Sequence, residues 1–338
     1  MKIALDLAAS KDALKAAFAA APKRETIPVL SHVRITASDA GIEIAATDLK
    51  VRVEARLTGE VREGGTAVIH AERLKSLLRG NWAELALADK VVTLETDALK
   101  ARLSTLPAQD FPAGADHGEI EDLDISADDV ADCLPFASGE EARHYLMGVC
   151  VDEGHTVATD GHRCIAIAGG GGARQIIPAP MIGLLAHLDA PKLGLGERAW
   201  RARSGEVTLV GQLIDGTYPD WPRVMPRVET TAEVDPDALK AAADAVAGIS
   251  TDRSRATRLA IASGHGTVTV RHADTNEEAT ATFVAEGDLR LVGINGKYLA
   301  SACAAFAGAP MRLGQGNEGD PILFEAGRRR VCVMPFRL

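Results

Sequence analysis

The chain has 338 residues, of which 46% are hydrophobic, 25% are charged and only 4% are aromatic. This length exceeds that of one ordinary domain, and the composition is typical of a folded globular protein, not of a disordered or fibrous one. No apolar run approaches the roughly 18 to 20 residues that a membrane-spanning helix needs, so we expect no membrane association. The formal net charge of −10 disfavours nucleic-acid binding by the average surface but leaves room for a local basic face.

The N-terminus and the cysteines indicate a cytoplasmic protein. MKIALDLAAS carries Asp6 in its apolar part and runs directly into SKDALKAAF, which predicts a first strand and helix and not a signal peptide. Five cysteines are scattered along the chain without a CxxC pair. This spacing predicts neither a zinc site nor a disulfide framework, and we expect a reducing compartment.

Each third of the chain shows the same order of predicted elements. An alanine- or leucine-rich amphipathic helix comes first, and a loop with arginines and alternating strands follow. A second helix comes next, and each third of the chain then ends in a strand and a proline-bearing segment. Each first helix begins at a residue type that caps helix N-termini. The first helices start at Ser10, Ser126 and Asp235, and the second helices at His70, Pro178 and Asn295.

The spacing of these elements predicts a threefold repeat. Matching aspartates at Asp48, Asp160 and Asp274 are 112 and 114 residues apart, a longer period than the roughly 20 to 50 residues of solenoid repeats. It predicts three copies of an α+β domain, each with two helices packed on antiparallel sheet. We place them at residues 1–116, 117–227 and 228–338, with polar or proline-flanked linkers between them.

Several motifs resemble those of a known family. TVATDGHR, HYLMG, DGTYPDWPRVMP and the terminal VMPFRL are similar, in the same order, to segments of bacterial β sliding clamps, the processivity subunits of replicative DNA polymerases. RETIPVLSHVRI, AATDL and LSTLPAQDFP extend the resemblance, which runs from Arg24 to Leu338. It implies three clamp domains per chain and a head-to-tail homodimer that closes a ring around duplex DNA. It also implies a non-catalytic role without cofactors.

The resemblance further implies a peptide-docking groove between the second and third domains. The expected partners are the replicative polymerase, clamp loader subunits and other proteins with a clamp-binding motif. Apolar side chains would bury a partner's anchors, and Gly161 would let a partner approach the backbone closely. The implied groove residues are Leu146, Thr159, Gly161, His162, Arg163, Pro219, Arg223, Val224, Val333, Met334, Pro335, Phe336 and Arg337.

Duplex DNA inside such a ring would be held by phosphate attraction that is independent of base sequence. One feature weakens this expectation: the predicted helix after Ser126 carries Asp128, Asp129 and Asp132 without a compensating Lys or Arg. The residues that we expect to contact DNA are Lys23, Arg24, Arg73, Arg79, Arg143 and Tyr145.

The implied ring interface contains Ala101 and Ile249. Ala101 stands where a bulkier residue is typical of the family. Burying less apolar area stabilises less, at about 25 cal/mol per Å2, so we expect a weaker dimer. A clamp-fold protein that binds peptides but no longer closes a ring is therefore a second hypothesis. The sequence also leaves open whether the chain is its host's main clamp or a second, specialised copy.

Two short segments raise the questions of catalysis and nucleotide binding. His155, Asp160 and His162 contain the donor set of a metal-dependent hydrolase. No HExxH motif accompanies them, and the odd offset of seven in a strand directs the two imidazoles to opposite faces. The run GGGG at 169–172 lacks the GK[ST] ending of a phosphate-binding loop. It predicts a flexible connection between a strand and a helix, and we expect neither a metal nor a nucleotide.

Overall fold

The computed structural model describes residues 1–115, 117–249, 256–272, 274–275, 277–317 and 319–336. Over these ranges it contains six α-helices and 25 β-strands. The helices are α1 (Lys11–Ala20), α2 (Ala71–Leu77), α3 (Ala127–Cys133), α4 (Ala179–Leu185), α5 (Pro236–Val246) and α6 (Gly296–Ala304). The strands are β1 (Lys2–Asp6), β2 (His32–Ser38), β3 (Gly41–Thr47), β4 (Val51–Leu57), β5 (Gly59–Glu63), β6 (Gly65–His70), β7 (Trp82–Ala88), β8 (Val91–Thr96), β9 (Lys100–Leu106), β10 (Ile120–Asp122), β11 (Gly148–Asp152), β12 (His155–Thr159), β13 (Arg163–Ala168), β14 (Gln175–Pro178), β15 (Lys192–Gly196), β16 (Ala199–Ser204), β17 (Val207–Gln212), β18 (Thr230–Val234), β19 (Ala256–Ala262), β20 (His265–Arg271), β21 (Glu278–Gly287), β22 (Leu289–Asn295), β23 (Met311–Gln315), β24 (Ile322–Ala326) and β25 (Arg329–Val333).

The six helices confirm the helix predictions, because each begins one residue after its predicted start. The side chain of Asp235 caps α5 by accepting the Asp237 amide at 2.9 Å. The prediction that Ser10 caps α1 is wrong, since its side chain makes no cap hydrogen bond. Its hydroxyl instead accepts the Thr58 amide at 3.0 Å and donates to the Thr58 carbonyl. Ser10 therefore ties the start of α1 to the β4–β5 connection.

The first compact unit contains residues Met1–Ala127 and Ile177–Ile214. Its sheet has 13 strands in the order β10-β15-β16-β17-β4-β3-β2-β6-β9-β8-β7-β1-β5. Successive side chains of a strand point to opposite faces of the sheet, and one face is buried here. In β2, Val33, Ile35 and Ala37 are buried while the residues between them are half-exposed. Helix α1 packs on β3 and β4 through small side chains such as Ala13 and Ala17, which compensates for the scarcity of aromatic residues.

The second compact unit contains Asp128–Ile176 and Asp215–Leu338. Its sheet has 12 strands in the order β14-β11-β12-β13-β25-β24-β23-β18-β21-β20-β19-β22. Both sheets join strands from different predicted domains: β17 pairs with β4 in the first unit, and β13 pairs with β25 in the second. The chain therefore divides into two compact units, each built around one of the sheets. The division into three repeated domains stays a prediction.

The glycine run at 169–172 forms a connection, as predicted, but it joins β13 to the short strand β14 and not to a helix. The Gly169 amide donates to the Gly154 carbonyl at 2.9 Å, which fixes the start of this connection. None of the described helices is long and apolar enough to cross a membrane.

The acidic helix α3 is neutralised by arginines from the far end of the chain. The carboxylate of Asp129, which is 4% exposed, accepts hydrogen bonds of 2.5 and 2.6 Å from Arg328. Arg329 donates to Asp132 in the same way. The expectation of an uncompensated acidic helix is therefore wrong for these two aspartates. The compensating cations lie in the turn before β25 and at its first residue, about 200 residues later in the sequence, where no local pattern reveals them.

We predict that Arg328→Met lowers the free energy of unfolding by about 2 kcal/mol, because it leaves the buried Asp129 carboxylate without its charged partner. The matched control is Arg330→Met, whose 3.6 Å pair with Glu325 is 61% exposed on the arginine side and should matter by less than about 1 kcal/mol. Urea unfolding followed by circular dichroism measures both. Equal effects of the two substitutions would contradict the prediction.

Candidate functional site

The TDGHR segment forms a tight turn between β12 and β13. The Thr159 hydroxyl donates to the Arg163 carbonyl at 2.7 Å and accepts the Gly161 amide at 3.0 Å. The Asp160 carboxylate accepts the amides of His162 and Arg163 at 2.9 and 3.1 Å. Gly161 has φ +88°, a conformation that side chains other than glycine rarely adopt. The sequence therefore builds a turn that presents Gly161 and His162 to solvent.

The partly buried side chain of Arg163 links this turn to neighbouring elements. Its guanidinium lies between the rings of Phe136 and Tyr298, at 4.8 and 4.9 Å from their centroids. It also donates to Asp160 at 3.0 Å and to the Ser301 hydroxyl. With only 13% of its side chain exposed, Arg163 is held by the protein's own groups. This geometry favours a positioning role for Arg163 within the implied groove over a direct contact with a partner.

The C-terminal VMPF segment lies directly beside the turn. Val333 pairs with Arg163 across β13 and β25, and the Met334 amide donates to the His162 carbonyl at 2.8 Å. The Phe336 amide donates to the Gly293 carbonyl at 3.0 Å. Val333 is buried, whereas Met334 is 43% exposed. An apolar, adaptable side chain therefore stands in solvent next to the turn.

The segment that precedes β18 is oriented by a buried tryptophan. The Trp221 indole donates to the Asp152 carboxylate at 3.0 Å, and its ring lies 4.9 Å from that of His155. Burial disfavours the charged form of Asp152, but hydrogen bonds from Arg174, Trp221 and its own loop hold the pKa of this carboxyl below its usual value. The anchored turn leaves Arg223 and Val224 in solvent, with 83% and 43% of their surfaces exposed.

The remaining groove candidates occupy the same compact unit. Leu146 is buried, at 3% exposure, and Thr159, Pro219, Pro335 and Phe336 are half-buried. Arg337 lies outside the described residues. The structure thus joins the 159–163 turn directly to the 333–336 segment, and ties the 219–224 segment to β11 and β12 through Trp221.

Sequence reasoning missed Tyr298. Its ring stacks on His162 with 6.1 Å between centroids and 19° between planes, and its other contact is the Arg163 guanidinium. Tyr298 lies in the first turn of α6, more than 130 residues from the turn that it supports. The amphipathic pattern of NGKYLAS predicted the helix, but nothing local distinguished this tyrosine from a packing residue.

The residues of the hypothetical hydrolase site are engaged in separate contacts. His155 packs on Trp221, Asp160 pairs with Arg163 at 3.0 Å, and His162 stacks on Tyr298. Across the residues described by the structure, no group of three His, Cys, Asp or Glu side chains could hold a metal ion.

The candidate DNA contacts differ in solvent exposure and in whether they form an ion pair. Lys23 and Arg24 are exposed after α1, and Arg73 and Arg79 are exposed on α2 and just beyond it. Arg143 instead pairs with Glu140 at 2.7 Å, which offsets its charge. Tyr145 is half-buried and meets the edge of the His144 ring at 5.8 Å.

The two interface candidates lie at different kinds of position. Ala101 is half-buried in β9, opposite Leu94 of β8. Strand β9 pairs with β8 over Lys100–Ser104 and with β6 only at Thr105 and Leu106. Among the described residues, no strand pairs with the edge of Lys100–Ser104 that faces away from β8. Ile249 is half-buried at the end of the turn after α5.

Comparison with known proteins finds similarity to bacterial β sliding clamps. The family model for the N-terminal domain of the DNA polymerase III beta subunit matches residues 1–115. The beta sliding clamp of Caulobacter vibrioides is 28% identical, over 96% of this chain and 95% of that protein. The DnaN sliding clamp of Bartonella birtlesii, solved bound to griselimycin, covers all of this chain at 27% identity with a TM-score of 0.89. The chain is thus similar to bacterial β sliding clamps over nearly its whole length.

Solved clamps also confirm the fold class. Caulobacter crescentus pol III beta matches the whole chain at 26% identity with a TM-score of 0.88. The α+β sliding-clamp fold inferred from the repeat and the motifs is therefore the fold of this chain. The match covers 95% of the Caulobacter vibrioides protein and all of the Caulobacter crescentus chain.

We predict that Gly161→Ala lowers stability by about 1 kcal/mol, because a residue with a side chain is strained at positive φ. A Cβ there would also lie 2.4 Å from an Arg143 nitrogen, although that flexible side chain can move away. Gly171→Ala in the same unit meets nothing within 4 Å and is the matched control. A urea midpoint for Gly161→Ala equal to that of the control would contradict the strained turn.

Proposed function

We propose that the chain is a DNA sliding clamp, a non-catalytic protein that encircles duplex DNA and tethers the replicative polymerase to it. The observation that carries the proposal is the match to beta sliding clamps over 96% of this chain and 95% of the Caulobacter vibrioides relative. Such a protein works by topology and not by turnover. A cytoplasmic location follows from this function.

A ring requires at least a second copy of the chain, and β9 could form part of the interface with that copy. The unpartnered edge of Lys100–Ser104 can hydrogen-bond to a strand of another protomer in a head-to-tail homodimer. Ala101 contributes little apolar area to such a contact, which favours a dimer that dissociates more readily than one with a bulky residue there.

DNA would be held inside this ring by exposed cations without base readout. Lys23, Arg24, Arg73 and Arg79 are exposed in one compact unit, and we propose that they attract phosphates. Arg143 and Tyr145 are weaker candidates, because Glu140 pairs with the arginine and the tyrosine is half-buried.

Partner proteins would dock short linear motifs against the TDGHR turn and the VMPF segment. Met334 and Val224 present exposed apolar surface, and the turn presents His162 stacked on Tyr298. The combination of apolar anchors and backbone groups suits a peptide with a few apolar side chains. The expected partners are the polymerase, clamp loader subunits and other proteins with a clamp-binding motif. The Bartonella birtlesii relative binds griselimycin, which supports a ligand site on this fold.

Topological binding is tested by retention on DNA. Loaded by an ATP-driven clamp loader, the protein should stay on nicked circular DNA during gel filtration and be lost once the circle is linearised. The reason is that a ring slides off a free end, whereas a surface contact does not depend on ends. Equal retention on both forms would refute the encircling function and favour a clamp fold without ring closure.

The ring interface is tested by Ala101→Arg, which places a long charged side chain beside the free edge of β9. We predict at least a tenfold (about 1.4 kcal/mol) weaker dimer in sedimentation equilibrium. Ala40→Arg adds the same charge at an exposed turn of the same unit and should leave the dimer unchanged. If both variants dimerise like the parent protein, β9 is not the interface.

The docking groove is tested with a fluorescent peptide that carries a polymerase's clamp-binding motif. Removing residues 334–338 should abolish binding, and Met334→Ala should weaken it by roughly tenfold through loss of an apolar anchor. Val284→Ala, at a valine that is 76% exposed in the same unit, is the control. Unchanged peptide affinity after the deletion would refute this placement of the groove.

A further inference from the structure

Two of the five cysteines lie directly opposite each other in the sheet that carries the candidate groove. Cys164 of β13 and Cys332 of β25 are cross-strand partners in an antiparallel ladder, so their side chains point to the same face of the sheet. Both are free thiols, 1% and 3% exposed, and the two thiols are hydrogen-bonded to each other. Strand pairing thus brings together two cysteines that are about 170 residues apart in the sequence.

The position of the pair in the ladder determines how a disulfide between the two cysteines would fit. The Met334 amide donates to the His162 carbonyl at 2.8 Å. Because hydrogen-bonded and non-hydrogen-bonded pairs alternate along an antiparallel ladder, Cys164 and Cys332 also form a hydrogen-bonded pair, with Cα atoms about 5.5 Å apart. A disulfide accepts this Cα separation, but it needs Cβ atoms about 3.8 Å apart, closer than such a pair holds them. The bond therefore draws the two strands together locally.

The contact between the thiols makes their acidities unequal. The hydrogen bond from Cys164 lowers the pKa of Cys332, and the same contact, together with burial, raises the pKa of Cys164 well above its usual value. Cys332 therefore forms a thiolate more readily, and Cys164 remains a thiol beside it. A cysteine of lowered pKa next to a second cysteine is the arrangement in which one sulfur is oxidised and the other converts the product to a disulfide.

The pair is covered by the segment that contains the groove candidates Pro219 and Val224. Tyr218 of this segment is 1% exposed, and burial together with the nearby Cys164 thiol raises the pKa of its phenol. The described residues between Asp215 and β18 contain no strand and only the short 3-10 turn Trp221–Val224. Such a segment opens at a lower free energy than the strands beneath it. Its opening admits hydrogen peroxide, a molecule little larger than water.

We propose that Cys164 and Cys332 form a reversible disulfide when the protein meets hydrogen peroxide, and that this disulfide weakens docking at the candidate groove. The Cys332 thiolate attacks one peroxide oxygen, so that a sulfur–oxygen bond forms and the oxygen–oxygen bond breaks. The leaving hydroxide takes up the proton lost by Cys332 and becomes water. The Cys164 sulfur then attacks the sulfenic sulfur of Cys332, and the displaced hydroxide leaves as a second water with the Cys164 proton. Two thiols lose two electrons, and one peroxide gains them.

The disulfide acts on the groove through the ladder. Cys164 follows Arg163, which holds the TDGHR turn, and Cys332 lies two residues before Met334. Drawing the strands together shifts the turn against the VMPF segment and weakens the Met334–His162 hydrogen bond. This effect on docking rests on the proposed function, whereas the disulfide itself rests on the strand register. A strained disulfide is also easily reduced, and disulfides of cytosolic proteins are typically transient ones of this kind.

The disulfide is tested in the full-length protein by treatment with hydrogen peroxide, alkylation of the remaining thiols and peptide mapping by mass spectrometry without reduction. We expect one predominant intramolecular bond, Cys164–Cys332, that dithiothreitol removes. Cys332→Ala should lack it. Cys303→Ala, which removes another buried cysteine of the same unit, is the matched control and should form it as the parent protein does. An absent bond at this pair, or a predominant bond between other cysteines, would overturn the proposal.

The effect on docking is tested with the fluorescent clamp-binding-motif peptide. The disulfide-bonded protein should bind it roughly fivefold more weakly than the reduced protein, at the lower end of typical couplings between two sites, and dithiothreitol should restore the affinity. Cys332→Ala should bind like the reduced parent before and after peroxide. This variant also controls for oxidation of the exposed Met334, which dithiothreitol does not reverse. Equal affinities of the reduced and disulfide-bonded forms would refute the effect on docking.

A measurement without peptide separates this inference from the proposed function. The disulfide should speed hydrogen exchange of the Met334 amide, because it weakens the bond to the His162 carbonyl. If the reduced protein fails to bind the peptide, the proposed groove is wrong, but faster exchange in the disulfide-bonded form would still support the coupling between the cysteines and the turn. Equal exchange in both forms would overturn that coupling.

Discussion

The pairing of β13 with β25 is the constraint on which the candidate groove depends. It joins strands about 170 residues apart in the sequence and sets Arg163 opposite Val333. The turn before β13 and the segment after β25 then emerge side by side, linked by the Met334–His162 hydrogen bond. A slip of one residue would reverse the faces of the whole strand and bury Met334 in place of Val333. The exposed apolar surface beside the turn is thus a consequence of sheet register.

A cation held between two rings makes this arrangement rigid. Arg163 lies between Phe136 and Tyr298 and bonds to Asp160, so elements from three parts of the second unit converge on one guanidinium. Rigidity of this kind would suit the proposed docking surface, because little conformational entropy is lost in the protein when a flexible peptide binds. The adaptable element is Met334, whose unbranched side chain can repack around different anchors.

Charge is organised locally in this acidic chain. The buried Asp129 is neutralised by Arg328, from a turn that is distant in the sequence. Lys11, Lys15, Lys23 and Lys75 line a concave surface between α1 and α2, and the lysine ion pairs within the described ranges involve Lys2, Lys100 and Lys240 instead. The net charge of −10 reveals neither arrangement.

The local residue pattern by itself determined where the helices begin and which proteins the chain resembles. The pattern of apolar and polar residues placed all six helix starts within one residue, and the TDGHR and MPFRL motifs indicated the resemblance to β sliding clamps, because both signals depend on neighbours in the chain. Tertiary structure alone decided what Ser10 bonds to, which arginine neutralises Asp129 and that Tyr298 supports His162. These partners are separated by about 50 to 200 residues, and strand pairing brings them together. A hydroxyl, a carboxylate or a ring has the same local signature whatever it meets, so only the folded sheets select its partner.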